Sequence, residues 1–282
     1  MAGSLLRAGF RVRGVDANPL RVAQLAAASA LIPAATPAEA ARGADAFLIS
    51  VVDAVQTQTV LFGSGGAVEG LSAGAVVIAT STVPPPFIEA LEAQLGERGL
   101  LLIDAPVSGG TAKAASGELS IMASGDPLSF KAAAGVLDAI AAKVYRLGDR
   151  AGIGSRMKSI NQLLAGVHIA AACEAITYAI RLGVDPREAY DVITHSAGNS
   201  WMFENRIPHV LDNDYTPRSA INIFVKDLGI VLDGGRAEKF PLPLTAAAHQ
   251  LFLAAAGMGF GGDDDASIAR VYATLADLEL PE

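Results

Sequence analysis

Two almost uninterrupted apolar runs, Ala46-Phe-Leu-Ile-Ser-Val-Val52 and Ala75-Val-Val-Ile-Ala79, constrain this chain more than any other feature. Such runs suit strands covered on both faces, which arise where helices pack on either side of a parallel sheet. The rest of the first half agrees. Phe10 to Val15 and Leu100 to Ile103 are strand-like, while Pro19 to Ala28, Ala54 to Phe62 and Phe87 to Arg98 fall between strands as helices. That alternation spells repeated strand–helix–strand units and an α/β class. Leu119 to Ala123 and Lys143 to Leu147 flank another helical stretch and would extend the sheet at its edge. After Gly152 the strand pattern stops. Ser155 to Leu182 carries apolar residues at helical spacing, holds no proline and meets Gly183 as a carboxy-terminal cap. Further helices are expected from Asp185-Pro186, near Asn199, over Ser219 to Lys239, Pro243 to Ala256 and Asp264 to Leu278. The expectation is an α/β domain over residues 1–150 joined by a long helix to an all-helical domain over residues 151–282.

Composition narrows the function. With 51% hydrophobic and 18% charged residues over 282 positions, the chain is too apolar for disorder and long enough for two cores. Lys and Arg number 21 against 29 Asp and Glu, a net charge of −8 that argues against nucleic acid and anionic membranes as partners. The lone cysteine, Cys173, excludes an intrachain disulfide and a cysteine-rich zinc site, and points to a reducing, cytoplasmic setting. The most apolar stretch, Leu163 to Ile180, includes His168 and Glu174, so no membrane span is expected. No secretory leader is read at the amino terminus. His168, His195, His209 and His249 lack the spacing of a zinc enzyme, and no metal is assigned.

Open parallel sheets bind ligands at the carboxyl ends of their strands. Asp16 closes the first strand-like stretch, where an acid would accept both ribose hydroxyls of a dinucleotide and repel a 2′-phosphate. The alternative is a turn and helix cap with Asn18 and Pro19. No glycine fingerprint precedes it, since Gly3 and Gly9 have the wrong spacing. The first strand and the fingerprint are therefore expected to be missing, and with them the amides that cradle a pyrophosphate. In Asp104-Ala-Pro-Val-Ser108-Gly109-Gly110, a hydroxyl and unhindered amides suit a carboxylate, or else the glycines only permit a flexible loop. In Gly152-Ile-Gly154-Ser-Arg-Met-Lys158-Ser-Ile-Asn161-Gln162, Lys158 and Asn161 share one helical face. A lysine on an apolar helix is costly to bury unless it is paired or has work to do, although it can also snorkel. Phe224-Val-Lys226-Asp227-Leu-Gly229 places a charge pair in another apolar helix, which ordinary helix pairing would also explain.

In this order and spacing the three motifs resemble those of the β-hydroxyacid dehydrogenases, the group with 3-hydroxyisobutyrate and tartronate semialdehyde reducing enzymes, over nearly the whole chain. Residues His195 to His209 look more like the L-threonate dehydrogenase branch. The resemblance implies a Rossmann-type first domain, with NAD as cofactor and NADP as the alternative. Lys158 would then be the general acid/base, Asn161 would hold the substrate hydroxyl, and Ser108, Gly109 and Gly110 would bind the carboxylate. Thr82 would contact the nicotinamide side, and Val51, Val52 and Gln56 would line another cofactor loop, where the family more often has Leu-Pro and Asn. Lys226 would close over the nicotinamide, with Asp227 orienting Lys158 or Lys226. Asn199, with Ser200 and Asn205 beside Trp201 and Phe203, offers polar groups for a polyhydroxylated acid, or else a helix cap. The implied reaction is NAD-dependent oxidation of a small sugar acid such as L-threonate to its 2-keto acid. Alternatives are a 3-hydroxyisobutyrate or tartronate semialdehyde type of dehydrogenase, an imine reductase, which Lys158 disfavours, and a truncated non-catalytic dinucleotide-fold protein. The apolar faces of the two long helices suggest a homodimer or homotetramer.

Overall fold

Strands and helices alternate as far as Gly148, and only helices follow. The computed structural model describes residues 1–282, which form two units, Met1–Lys158 and Ser159–Glu282. The first unit runs α1 (Ala2–Arg7), β1 (Arg13–Gly14), α2 (Pro19–Ala27), β2 (Ile32–Pro33), α3 (Pro37–Ala41), β3 (Ala46–Ile49), α4 (Ala54–Phe62) and β4 (Val76–Ala79). It continues with α5 (Pro85–Gly96), β5 (Leu101–Asp104), β6 (Val107–Ser108), α6 (Gly110–Ser116), β7 (Leu119–Ser124), α7 (Pro127–Ile140) and β8 (Ala141–Gly148). Helix α8 (Ile153–Arg181) starts in this unit.

The larger sheet has the order β3-β4-β5-β7-β6, with β8 also paired to β7. Strands β3, β4 and β5 are parallel, with Ile78 opposite Leu48 and Ile103. Every residue of β4 is buried, as its apolar run requires. Alternate side chains serve opposite faces. Val77 and Ala79 pack with Leu61 of α4 and Leu91 of α5, whereas Val76 and Ile78 pack with Phe130 and Leu137 of α7. The sheet is mixed rather than wholly parallel, because β7 runs antiparallel to β5 and β6. The short α6 connection returns the chain alongside β6 instead of crossing over, which an antiparallel neighbour allows and a parallel one does not.

β1 and β2 form a separate two-stranded parallel sheet. β1 spans only Arg13–Gly14, shorter than the expected Phe10 to Val15. It pairs along one edge only, so no second ladder extends it. A cavity of about 620 Å³ lies between β1, β3 and α7, with Leu5, Phe10, Val12, Phe47, Leu48 and Val136 in its wall.

The second unit holds the remainder of α8, then α9 (Pro186–Thr194), α10 (Trp201–Leu211), α11 (Ile221–Ala237), α12 (Pro243–Ala255) and α13 (Ile268–Ala276). By length and composition alone α8 is apolar enough to cross a membrane. Its Ala165, Ile169, Cys173 and Ile176 are buried in the second unit's core with Phe224 and Phe252, which makes it a core helix.

Candidate active site

β5 ends in Asp104, which is fully buried and gathers four hydrogen-bond donors. Its Oδ2 accepts from the Gly152 and Ser155 amides at 3.0 and 2.8 Å and from Ser124 Oγ at 3.3 Å, and its Oδ1 accepts from Ser155 Oγ at 2.7 Å. Ser124 Oγ in turn accepts the Gly154 amide at 2.9 Å. The first amides of a helix have no partner within it, so these side chains cap α8 from the sheet. Burial raises the Asp104 pKa above the ordinary carboxylate value, and the hydrogen bonds from Ser155, Gly152 and Ser124 oppose the rise. Only glycine fits at position 154, since a Cβ there would collide with the Met122 carbonyl oxygen.

One turn along α8, Lys158 is 7% exposed and its Nζ donates to the Val107 carbonyl at 2.9 Å. Ser108, Gly109 and Gly110 follow Val107 directly. Gly109 and Gly110 have φ of 131° and 71°, a left-handed backbone that disfavours side chains. The loop from Asp104 to Gly110 therefore anchors the helix, receives the lysine and leads into the serine-glycine-glycine turn.

In the second unit the expected residues form a relay. Asn161 Nδ2 donates to Gln162 Oε1 at 2.9 Å, Gln162 Nε2 to Asp227 Oδ2 at 2.5 Å, and Lys226 Nζ lies 2.6 Å from Asp227 Oδ1. Asp227 is buried while Lys226 is partly exposed, so the charge pair of the VKDLG motif turns its acid inward. Gln162 escaped the sequence analysis as a site residue, as did Asp104, Ser124 and Ser155. The signal for Gln162 was its place four residues beyond Lys158 on the same buried stripe. Asn199 donates to the Thr194 carbonyl at 3.0 Å and to Glu204 at 2.5 Å, tying α9 to α10. Ser200, not Asn199, caps α10 by accepting the Phe203 amide at 3.1 Å. Trp201 and Asn205 line a cavity of about 310 Å³ with Tyr190, Thr194 and Glu204.

The expected cofactor residues of the first unit follow the carboxyl ends of β1, β3 and β4. Asp16 is exposed and accepts the Asn18 amide at 2.8 Å. The α2 cap falls to Asn18, which accepts from Leu20 at 3.1 Å. Gln56 Oε1 accepts the Val52 amide at 3.1 Å, holding the Val51–Val52 loop, and Thr82 is half-buried after β4. An exposed acid, an amide-braced loop and a threonine at successive strand ends suit a dinucleotide. Lys226, the remaining expected cofactor residue, lies in the second unit.

The chain matches known proteins along nearly its whole length. The NAD-binding domain of 6-phosphogluconate dehydrogenase matches residues 1–148, and the NAD-binding domain of NADP-dependent 3-hydroxyisobutyrate dehydrogenase matches residues 152–272. The L-threonate dehydrogenase of Cupriavidus necator is 57% identical over 281 residues, covering 100% of this chain and 93% of the relative. The chain belongs to the β-hydroxyacid dehydrogenase family. Within that family, the L-threonate dehydrogenase of Escherichia coli K12 is 46% identical over 96% of this chain and 90% of its own length. The crystal structure of a 3-hydroxyisobutyrate dehydrogenase from Salmonella typhimurium superposes with a TM-score of 0.91 at 48% identity, over 96% of this chain and 94% of that one. The expected loss of a first strand is not borne out. This β-hydroxyacid dehydrogenase is an NAD(P)-dependent oxidoreductase that acts on the CH–OH group of a small hydroxy acid.

Proposed function

We propose that this dehydrogenase oxidises L-threonate to its 2-keto acid, with NAD preferred over NADP. The observation that carries the reading is Lys158, buried on α8 with its amine held at the Val107 carbonyl beside Ser108. A lysine acts as a base through its free amine, and proton transfer is most efficient when its pKa matches the working pH. Lys158 takes the proton of the substrate hydroxyl as the carbon–oxygen bond becomes a carbonyl. The bound dinucleotide supplies the acceptor for the hydride that leaves the same carbon. Ser108, Gly109 and Gly110 bind the carboxylate, and Asn161 holds the hydroxyl toward the lysine. Asp16, Val51, Val52, Gln56 and Thr82 hold the cofactor in the first unit. Asp16 accepts the ribose hydroxyls and repels a 2′-phosphate, which sets the NAD preference. The substrate follows from the L-threonate dehydrogenases at 57% and 46% identity. Asn199 is the residue assigned to the polyol end of the acid.

The test is a panel of short hydroxy acids, L-threonate and 3-hydroxyisobutyrate among them, assayed by reduction of NAD and of NADP. L-threonate with NAD should give the highest kcat/KM. Preference for 3-hydroxyisobutyrate would overturn the substrate, and no turnover of any hydroxy acid would overturn the reaction. The same reading makes the protein a cytoplasmic homo-oligomer. Met157, Ile160 and Leu164 form one outward apolar stripe on α8, with exposures of 40%, 55% and 50%, and a second copy would cover it. Ile160→Glu should shift the mass in light scattering toward a monomer.

A further inference from the structure

We infer that Asp104 is the positioning residue for Lys158, fixing where α8 begins and the rotation at which its first buried turn faces the sheet. The inference rests on the reading of Lys158 as the proton carrier. Asp104 ends β5, and Val107, three residues later, supplies the carbonyl that receives the Lys158 amine. One short segment therefore fixes both the start of the helix and the seat of the amine. The carboxylate grips α8 at two backbone amides, Gly152 and Ser155, and at the Ser155 hydroxyl. Ser155 lies three residues before Lys158, on the same helical face, and both are buried. The grip at two amides three residues apart, completed by the Ser155 hydroxyl, holds the first turn against rotation and sliding, so the lysine side chain departs from a fixed Cα.

Ser124 strengthens the arrangement from β7. It donates to Asp104 and accepts from Gly154, so three of the residues from 152 to 155 are held by two side chains of the sheet. The Gly154 backbone approaches the Met122 and Asp104 carbonyls closely enough that a Cβ has no room. The helix start is thus seated by contact as well as by hydrogen bonds. A displacement of the amine by about 1 Å is enough to cost on the order of 100-fold in rate. Asp104 touches neither substrate nor cofactor in this scheme and acts through Lys158.

The experiment compares the wild-type chain with Asp104→Ala, Asp104→Asn and Ser155→Ala, using circular dichroism to confirm folding. Steady-state rates are taken with L-threonate and NAD from pH 6 to 10, beside Lys158→Ala as reference. Asp104→Ala should lower kcat about 100-fold with KM for the acid within about threefold. Its kcat profile should move by at least about half a pH unit, because the displaced amine titrates in a different setting. Asp104→Asn keeps a carbonyl oxygen for the two amides and should recover about tenfold. If Asp104→Ala does not fold, Ser155→Ala decides, since it removes one donor from Oδ1 and leaves the backbone grip; it should lose about threefold to tenfold in kcat with the same profile shift. A folded Asp104→Ala, or failing that Ser155→Ala, with wild-type kcat, an unmoved pH profile, or a loss confined to KM would overturn the positioning role. Wild-type turnover in Lys158→Ala would instead overturn the proton-carrier reading, a result that the Asp104 variants cannot imitate.

Discussion

Two aspartates stand at strand ends of the first unit, Asp16 after β1 and Asp104 closing β5, and their surroundings are opposite. Asp16 is exposed and accepts a hydrogen bond from an amide two residues away. Asp104 has no solvent exposure and accepts from Gly152, Ser155 and Ser124, as many as 51 residues away in sequence. The strands beneath them differ in the same way. β5 is flanked by β4 and β7 and covered by helices on both faces, whereas β1 has a single neighbour, β2, and a cavity beside it. Position at a strand's carboxyl end thus does not decide what an acid does. Coverage does: an acid under a layered sheet becomes an internal strut, and one at a thin edge stays open to solvent.

If the β5 side carries the chemistry, the largest effect belongs there. Lys158→Ala should lower kcat at least about 10³-fold, roughly 4 kcal/mol of transition-state stabilisation, with KM for NAD within about threefold. Steady-state kinetics at saturating cofactor checks it, and a loss that appears only in the NAD KM would place Lys158 with Asp16 on the binding side. Stability should divide in the same sense. Ile103→Ala opens a cavity under a fully buried strand residue and should cost about 2–5 kcal/mol. Ile32, on β2, is 38% exposed, and Ile32→Ala should cost below about 1 kcal/mol. Urea denaturation of both variants measures the contrast, and equal costs would remove it.

The two halves were also unequally legible. The apolar runs at Ala46 and Ala75 mark β3 and β4 because burial on both faces leaves no polar residue to blur the period. The serine-glycine-glycine loop and the lysine helix stood out through glycines and a misplaced charge, which are local signals. The antiparallel entry of β7 had no such mark, since strand direction depends on which edge the chain returns to. The Asp104 grip was equally silent: its donors lie about 50 residues downstream, and nothing local distinguishes a buried acid from an exposed one. Gln162 reads as an ordinary helix residue until Asp227 is brought to it by tertiary packing.

A smaller effect follows from the burial of Asp104. Its pKa is raised above the ordinary 3.8 by desolvation. Between these two values the folded chain keeps a proton that the unfolded chain has released. The contribution of Asp104 to stability is therefore greatest below the ordinary value and declines as the pH rises through the raised one. Asparagine does not titrate, so the stability of the wild type relative to Asp104→Asn should be higher at pH 4 than at pH 7. Denaturation curves at both values test the sign, and the reverse trend would mean that hydrogen bonding to the carboxylate outweighs its desolvation.

The smallest change is expected at Asp16, where the comparison is most exposed to failure. Asp16→Ala removes an acceptor that contributes nothing to a core, so the melting temperature should stay within about 2 °C. The loss should appear in KM for NAD, about tenfold or roughly 1.4 kcal/mol, with kcat nearly unchanged, because ribose hydroxyls are bound alike before and during hydride transfer. KM for NADP should fall, since the substitution also removes the charge that repels a 2′-phosphate. Opposite shifts for the two cofactors are what a ligand-facing acid produces and what a turn residue does not. If both KM values stay at wild type, Asp16 is only a bend in the chain before α2, and the thin edge of the sheet loses its assigned part in choosing the cofactor.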